Sequence, residues 1–128
     1  CTGLTSIEIP DSVTTLGIQA FGYCDGLTSV TIGSGVTAIG WCAFGDCISL
    51  TSVTIRNGVT AIVEGAFYGC INLTSVTIPN SVTTIESNVF NSCDALTTVY
   101  FGGTQEQWNA IEIGTYNGNL PNAEIVFG

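Results

Sequence analysis

Hydrophobic and polar residues alternate along this chain in a pattern that returns every 23 residues. The phrase Leu-Thr-Ser-(Ile/Val)-x-Ile begins at Leu4, Leu27, Leu50 and Leu73, and a variant of it begins at Leu96. A unit this short cannot bury its apolar face alone, whereas copies stacked side by side share one continuous core. The period therefore predicts a solenoid.

Each unit holds the same eight positions apolar. In the unit that begins at Leu27 these positions are Leu27, Val30, Ile32, Val36, Ile39, Ala43, Phe44 and Cys47. The alternation Val30-Thr31-Ile32 predicts a short strand, and Gly33-Ser34-Gly35 predicts the turn after it. A second extended piece follows over 36–39, and Ala43-Phe44 predicts one tight helical turn before the next unit. Strands of successive units are expected to pair in parallel.

The arrangement Leu-x-x-(Leu/Val)-x-Ile resembles a leucine-rich repeat. Together with the 23-residue period and the closing Ala20-Phe21-x-x-Cys24-x-x-Leu27, it resembles the BspA type of that family. The resemblance implies a right-handed leucine-rich-repeat solenoid of the α/β horseshoe type, mostly β with short helical turns. We assign residues 1–95 to four 23-residue repeats, which begin at Leu4, Leu27, Leu50 and Leu73, with a partial repeat at the N-terminus.

One position departs from the commoner leucine-rich pattern, which places Asn or Cys three residues after the last Ile of the strand. The residues here are Ser12, Gly35, Gly58 and Ser81. The side-chain ladder that ties the turns together in that pattern is therefore absent. We expect the Cys at the end of each unit to take a related packing role.

The period breaks after Phe101. Thr104-Gln105-Glu106-Gln107 matches a capping box at the start of a helix, and 123–127 is predicted to form a last strand. We therefore assign 96–128 to a final strand and a C-terminal capping unit in which Trp108 covers the last layer of the core.

The N-terminal end has no such cap in the sequence pattern. Cys1 is in register with the cysteine at the end of each unit, so the chain begins within a repeat. The unit of Leu4 is therefore expected to keep an open side. We expect either a fragment of a longer array or a chain that self-associates through this uncapped N-terminal layer.

Composition narrows the classes of function. The chain is 45% hydrophobic and 9% charged, with a mean hydropathy of +0.48, and no apolar run approaches the roughly 20 residues that span a bilayer. Arg56 is its one cation against ten carboxylates, for a net charge of −9, which argues against binding to nucleic acid or anionic membranes. Without His or Lys the chain lacks the commonest general base, the imidazole metal ligand and the Schiff-base lysine. We predict neither an enzyme nor a cofactor or metal site.

Six cysteines raise the question of disulfides or a metal site. Five of them lie 23 residues apart: Cys1, Cys24, Cys47, Cys70 and Cys93. Such a file would space its Cα atoms by about 5 Å, within disulfide range, but parallel Cβ vectors favour reduced, buried packing cysteines. A straight file also cannot surround a metal ion. Cys42 stands at an outward polar position and is predicted to be an exposed single thiol.

Two polar files follow the outward positions of the predicted long strands. They are Ser6, Ser29, Ser52, Ser75 and Thr98, and Glu8, Thr31, Thr54, Thr77 and Tyr100. In the leucine-rich family this sheet lines the concave side, where partners bind. The partner-binding candidates are Ser29, Thr31, Ser52, Thr54, Arg56, Ser75, Thr77 and Tyr100.

Two alternatives to a binding sheet stay open. Ser and Thr are ordinary solvated strand residues, and a regular Thr file also suggests an ice-binding surface, although Glu8 and Tyr100 interrupt it. Five strands span only about 20 Å, which falls short of the roughly 800 Å² per partner in a stable interface. A partner would therefore bind weakly, across a longer array, or with help from the rims.

Trp41 is a further anchor candidate, and its packing against Ile18 is the simpler interpretation.

The resemblance implies what the chain does. BspA-type proteins are secreted or displayed at the surface of bacteria and attach to host matrix proteins or to other cells. We therefore expect an extracellular or cell-surface location and a non-catalytic adhesion module that binds host or other extracellular proteins through the concave sheet. The alternative is a structural module that stacks end to end or spaces the domains of a longer surface protein.

Overall fold

Each repeat contributes one long strand and one two-residue strand, and these form two separate parallel sheets. The computed structural model describes residues 3–128. The long strands are β1 (Ser6–Ile9), β3 (Ser29–Ile32), β5 (Ser52–Ile55), β7 (Ser75–Pro79), β9 (Thr98–Gly102) and β11 (Glu124–Phe127). The short strands are β2 (Thr15–Leu16), β4 (Ala38–Ile39), β6 (Ala61–Ile62), β8 (Thr84–Ile85) and β10 (Glu112–Ile113).

Strand order follows chain order in both sheets, β1-β3-β5-β7-β9-β11 in one and β2-β4-β6-β8-β10 in the other. Equivalent residues of successive repeats pair directly, as Ser29 with Ser52 and Ile32 with Ile55. This register is what a 23-residue coil without insertions requires. The predicted solenoid of parallel strands is confirmed.

The segment from each short strand to the next long strand consists of successive tight turns. Ala43 N–H donates to Gly40 O at 3.1 Å, and Gly45 N–H donates to Cys42 O at 3.0 Å. The turn predicted at Ala43-Phe44 thus takes the form of β-turns rather than a helix. The reason is that two columns of this segment have positive φ, which interrupts helical geometry. One consists of Gln19 (φ 54°), Cys42 (51°), Gly65 (73°) and Asn88 (63°), and the other of Tyr23 (60°), Asp46 (56°), Gly69 (76°) and Ser92 (64°).

The core is filled by the repeated apolar columns, which are buried in the repeats from Leu27 onward. Its centre is a ladder of phenylalanine rings. The ring centroids of Phe21 and Phe44 lie 5.3 Å apart, those of Phe44 and Phe67 5.6 Å, and those of Phe67 and Phe90 5.8 Å, with interplanar angles of 7° to 9°. Stacked rings of this size contribute both buried area and ring-ring attraction to every interface between repeats.

The cysteine file ties the repeats together through hydrogen bonds. The thiols of Cys47, Cys70 and Cys93 donate to the carbonyl oxygens of Phe21, Phe44 and Phe67, each at 3.1 Å. These three cysteines are buried and free, so the predicted packing role is confirmed for them.

One member of the file departs from the prediction. Cys24 is disulfide-bonded, so the expectation of a reduced thiol there is wrong. The expectation failed because parallel Cβ vectors do not by themselves exclude a disulfide when the expected Cα spacing of about 5 Å allows one. Cys1 lies outside the described residues.

The last repeat is followed by helix α1 (Gln105–Asn109) and a 3₁₀ turn at Leu120–Asn122. The predicted capping box is present: Thr104 Oγ1 accepts from Gln107 N–H at 3.2 Å, and Gln107 Oε1 accepts from Thr104 N–H at 2.9 Å. The Trp108 ring packs edge-on against Phe101 with centroids 5.3 Å apart. Trp108 therefore lies over the core, as predicted.

The first described unit buries its apolar columns less completely than the others. Leu4, Ile7, Val13 and Phe21 are half-buried, whereas their equivalents from Leu27 onward are buried.

No helix in residues 3–128 is long and apolar enough to cross a membrane.

Candidate functional site

The outward side chains of the six long strands form a polar surface that we call the long-strand face. It consists of two files, Ser6, Ser29, Ser52, Ser75, Thr98 and Glu124, and Glu8, Thr31, Thr54, Thr77, Tyr100 and Val126. The structure therefore brings all the predicted sheet residues together on one face. The half-buried residues of the two files include Ser29, Thr31, Ser52, Ser75 and Thr77. Ser6, Thr54 and Tyr100 are exposed.

Hydrogen bonding separates the threonines of this face from those beside it. Thr51 Oγ1 donates to Thr28 O, and Thr74 Oγ1 donates to Thr51 O, each at 3.0 Å. By contrast, the hydroxyls of Thr31, Thr54 and Thr77 bond to no other group within residues 3–128. The hydroxyls of Thr51 and Thr74 thus stabilise the coil. Those of Thr31, Thr54 and Thr77 are left to form hydrogen bonds with water or a partner.

Arg56 lies just past the end of β5 and reaches across two strands. Its Nη2 lies 3.6 Å from Glu8 Oε1, and its Nη1 lies 3.8 Å from Asp11 Oδ1. Both pairs are solvent-exposed, so they contribute little to stability. Asp11 also accepts the backbone N–H of Ser34 at 2.8 Å. The hydrogen bonds from Ser34, and to a smaller extent the Arg56 charge, lower the pKa of the Asp11 carboxyl below its usual value.

A groove of about 440 Å³ adjoins the face where the long strands end, and Arg56, Thr77 and Pro79 contribute to its lining. Arg56 therefore stands between an acidic side, at Glu8 and Asp11, and an open groove. Because its ion pairs are weak, Arg56 can turn to a carboxylate on a partner at small cost.

The family model described as BspA type leucine rich repeat region matches residues 1–114 of this sequence in six copies. The chain belongs to the BspA-type leucine-rich repeat family.

Solved structures of leucine-rich proteins share the solenoid. A leucine rich cell surface protein from Faecalibacterium prausnitzii A2-165 is 40% identical, with a TM-score of 0.82 over 88% of this chain and 30% of its own. A leucine rich repeat protein of T. pallidum is 26% identical, with a TM-score of 0.75 over 88% of this chain and 52% of its own. A leucine-rich repeat protein from Bacteroides ovatus, 21% identical with a TM-score of 0.70, covers 97% of this chain and 37% of its own and shares the fold.

This BspA-type chain spans about a third to a half of the length of those proteins. No curated protein matches it. In the part of the chain that the structure describes, no cluster of three or more His, Cys, Asp or Glu side chains could hold a metal ion.

Strand β11 adds residues to the face that the sequence analysis did not predict as site residues. Val126 pairs with Tyr100, and Glu124 pairs with Thr98, so the last strand extends both files by one residue. Tyr100 and Val126 are 48% and 38% exposed and give this end of the face an apolar patch. The alternation Glu124-Ile125-Val126-Phe127 was the available signal, since it matches Thr98-Val99-Tyr100-Phe101 position by position.

Trp41 is exposed, as the anchor interpretation requires. Its side chain is 44% exposed and that of Ile18 is 71% exposed, so burial of one against the other does not account for Trp41. Cys42, next to it, is half-buried rather than exposed. Both belong to a separate surface of the turn segments.

Proposed function

We propose that this chain is a non-catalytic protein-binding module of an extracellular or cell-surface bacterial protein, and that the long-strand face contacts the partner. The partner class that we propose is an extracellular protein, in the first instance a host matrix protein. The description of the F. prausnitzii relative as a cell surface protein supports the proposed location.

One observation carries this proposal: the hydroxyls of Thr31, Thr54 and Thr77 have no hydrogen-bond partner within residues 3–128. By contrast, the hydroxyls of Thr51 and Thr74 form hydrogen bonds between repeats. Thr31, Thr54 and Thr77 stand at regular spacing on a parallel sheet. A surface with preset polar groups loses little conformational freedom when a partner binds. Arg56 at the rim adds a charge that can bind a carboxylate.

The size of the face bears on the strength of binding. Six strands spaced by about 4.8 Å and about four residues long give a face of about 24 by 13 Å. That area lies well below the roughly 800 Å² per partner in a stable interface. We therefore propose that this segment binds weakly alone and that neighbouring repeats of a longer protein, or the groove beside Arg56, supply the rest.

The experiment introduces charge on the face and, separately, at matched positions. The test variant is Thr31→Lys/Thr54→Lys/Thr77→Lys. The control is Thr14→Lys/Thr37→Lys/Thr60→Lys, three exposed threonines with the same 23-residue spacing, each directly before a short strand. Binding to immobilised collagen, laminin and fibronectin is measured by surface plasmon resonance, and thermal melts verify that both variants fold.

We expect the test variant to lose at least about tenfold in affinity and the control less than about twofold. Equal losses in the two variants, or no loss in either, would contradict the role of the long-strand face. Failure of the unmodified chain to bind any matrix protein would contradict the proposed partner class.

A second candidate function is end-to-end assembly. The observation that favours it is the half-buried set Leu4, Ile7, Val13 and Phe21 beside β1, which is an edge strand among residues 3–128. A strand edge over apolar side chains can accept another repeat. Light scattering across a wide concentration range tests it. Growth in mass that Phe21→Glu abolishes would support assembly, and a monomer at all concentrations would exclude self-assembly.

A further inference from the structure

Three aromatic side chains from three consecutive repeats surround one cleft on the turn segments. Tyr23 is 66% exposed, Trp41 is 44% exposed and Tyr68 is 40% exposed. Large aromatic side chains that converge at a surface are typical of binding sites. We call the surface formed by Tyr23, Trp41, Cys42, Asp46, Glu64 and Tyr68 the aromatic cleft. It shares no residue with the long-strand face.

The aromatic cleft has two adjoining hollows. One, of about 200 Å³, is lined by Tyr23 and Asp46 together with Trp41, Cys42 and Tyr68. The other, of about 350 Å³, has the last three residues in common with it and adds Glu64 and two asparagines, Asn88 and Asn91. Trp41 and Tyr68 thus border both hollows.

Glycines in the neighbouring repeats open this space. Gly22 and Gly45 occupy, in the two preceding repeats, the position that Tyr68 occupies in its own. Only one of these three repeats therefore places an aromatic ring at this position. Gly65 follows Cys42 in its column, and a Cβ there would lie 2.8 Å from Cys42 Sγ. The hollows are therefore part of the backbone design of these repeats rather than gaps between mobile side chains.

Charge decides what class of ligand fits. Asp46 and Glu64 line the two hollows, and the one cation of the chain, Arg56, is paired with Glu8 and Asp11. Within residues 3–128, both carboxylates of the cleft therefore lack a cationic partner. Burial, and then the charges of Asp46 and Glu64, raise the pKa of the Cys42 thiol, so their negative potential reaches the centre of the cleft.

We propose that the aromatic cleft binds an arginine or lysine side chain on a basic segment of a partner protein. Cations are attracted to the faces of Trp and Tyr rings, and a guanidinium that stacks on an aromatic face can still pair with a carboxylate at its edge. A neutral ligand would bury Asp46 and Glu64 without compensating their charge. A chain with a net charge of −9 also attracts basic segments from a distance.

The test follows the two indole N–H signals of the chain by NMR, since Trp41 lies in the cleft and Trp108 in the cap gives an internal control. The probe is the peptide acetyl-(Gly-Arg)₄-amide, and its citrulline counterpart, equal in shape and uncharged, is the matched ligand. The variant Asp46→Asn/Glu64→Gln is compared with Asp94→Asn/Glu106→Gln, which changes net charge equally at exposed positions outside the cleft and outside the long-strand face. Asn tolerates the left-handed backbone of residue 46 (φ 56°).

We expect the arginine peptide to shift the Trp41 signal in a saturable way and the Trp108 signal little. The citrulline peptide and the Asp46→Asn/Glu64→Gln variant should each weaken binding at least about tenfold, and the control variant less than about threefold. Equal weakening in the two charge variants or equal binding of the citrulline peptide would overturn the proposal. So would an unchanged affinity in Trp41→Ala, which is measured by isothermal titration calorimetry because that variant lacks the reporter indole. So would a Trp41 shift produced by neutral oligosaccharides but not by the arginine peptide. None of these results bears on the long-strand face.

Discussion

The backbone N–H of Phe90 donates to the side-chain carbonyl of Asn117 at 3.0 Å. One repeat earlier, the equivalent N–H of Phe67 donates to the backbone carbonyl of Val89 at 3.1 Å. Asn117 holds the position that follows Val89 in the stack, because β10 pairs with β8 after an insertion of five residues that contains α1. A side chain therefore substitutes for the backbone where the repeat ends.

Asn117 is buried, and its Nδ2 also donates to Glu86 O at 3.2 Å and to Gly114 O at 2.8 Å. We expect Asn117→Ala to lower the free energy of unfolding by about 2–3 kcal/mol, because it leaves buried polar groups without partners. Urea denaturation measures this loss. Asn119→Ala, which removes a single bond to Asp94 O, is the control and should cost about 1 kcal/mol or less. Equal losses would argue against a special role for Asn117.

The phenylalanine ladder gives a second prediction. Phe67 is fully buried with a ring on each side, whereas Phe21 is half-buried and stacks on Phe44. We expect Phe67→Ala to cost about 4 kcal/mol and Phe21→Ala about 1–2 kcal/mol in thermal or urea unfolding. A loss at Phe21 as large as that at Phe67 would mean that the first layer is covered in solution.

Thiol reactivity tests the electrostatics of the aromatic cleft. Cys47, Cys70 and Cys93 are buried, and we expect them to react with neutral iodoacetamide after unfolding only. Cys42 should react in the native chain, but slowly, because its pKa is raised by burial and by Asp46 and Glu64, and the thiolate is the reactive form.

Asp46→Asn/Glu64→Gln should therefore speed the native reaction at neutral pH, and Cys42→Ser should abolish it. Mass spectrometry of the alkylated peptides identifies the site. An unchanged rate in the Asp46→Asn/Glu64→Gln variant would mean that those carboxylates do not act on the cleft.

Asp11 gives a prediction about pH. Its pKa is lowered chiefly by the hydrogen bonds from Ser34 and less by Arg56. The stability that Asp11 contributes is therefore present above the unfolded pKa of about 3.9 and is lost as the pH falls through the lower folded value. NMR titration of the carboxyl carbon should show a pKa below 3.8 that rises slightly in Arg56→Gln. A large rise in that variant would make the ion pair the dominant cause.

Much of the fold could be predicted from the sequence because the repeats carry no insertion. The apolar columns that include Val30, Ile32 and Phe44 are recognisable from their spacing, and they lie in the core. The capping box at Thr104 likewise identifies the start of its helix. The two files of the long-strand face follow from the same alternation. Such features depend on spacing along the chain, which a single sequence displays.

Other features depend on geometry that the columns conceal. Thr28 and Thr31 look alike in sequence, yet Thr28 Oγ1 donates to Thr5 O at 2.9 Å and the Thr31 hydroxyl bonds to no group in the described chain. Of the two left-handed columns, one holds Gln, Cys, Gly and Asn and the other Tyr, Asp, Gly and Ser, so no residue type marks either. The aromatic cleft combines Tyr23, Trp41 and Tyr68 from three different columns, and only the packing of adjacent repeats brings them together.

The most direct test of the account is an NMR titration of the threonine methyl groups with the first matrix protein found to bind. The methyls report in one experiment on Thr31, Thr54 and Thr77 of the long-strand face and on Thr37, Thr60 and Thr83 of the short-strand side. We predict that the first three signals shift or broaden while the second three stay in place. Perturbation confined to Thr37, Thr60 and Thr83 would contradict the account and place the binding surface on the other sheet.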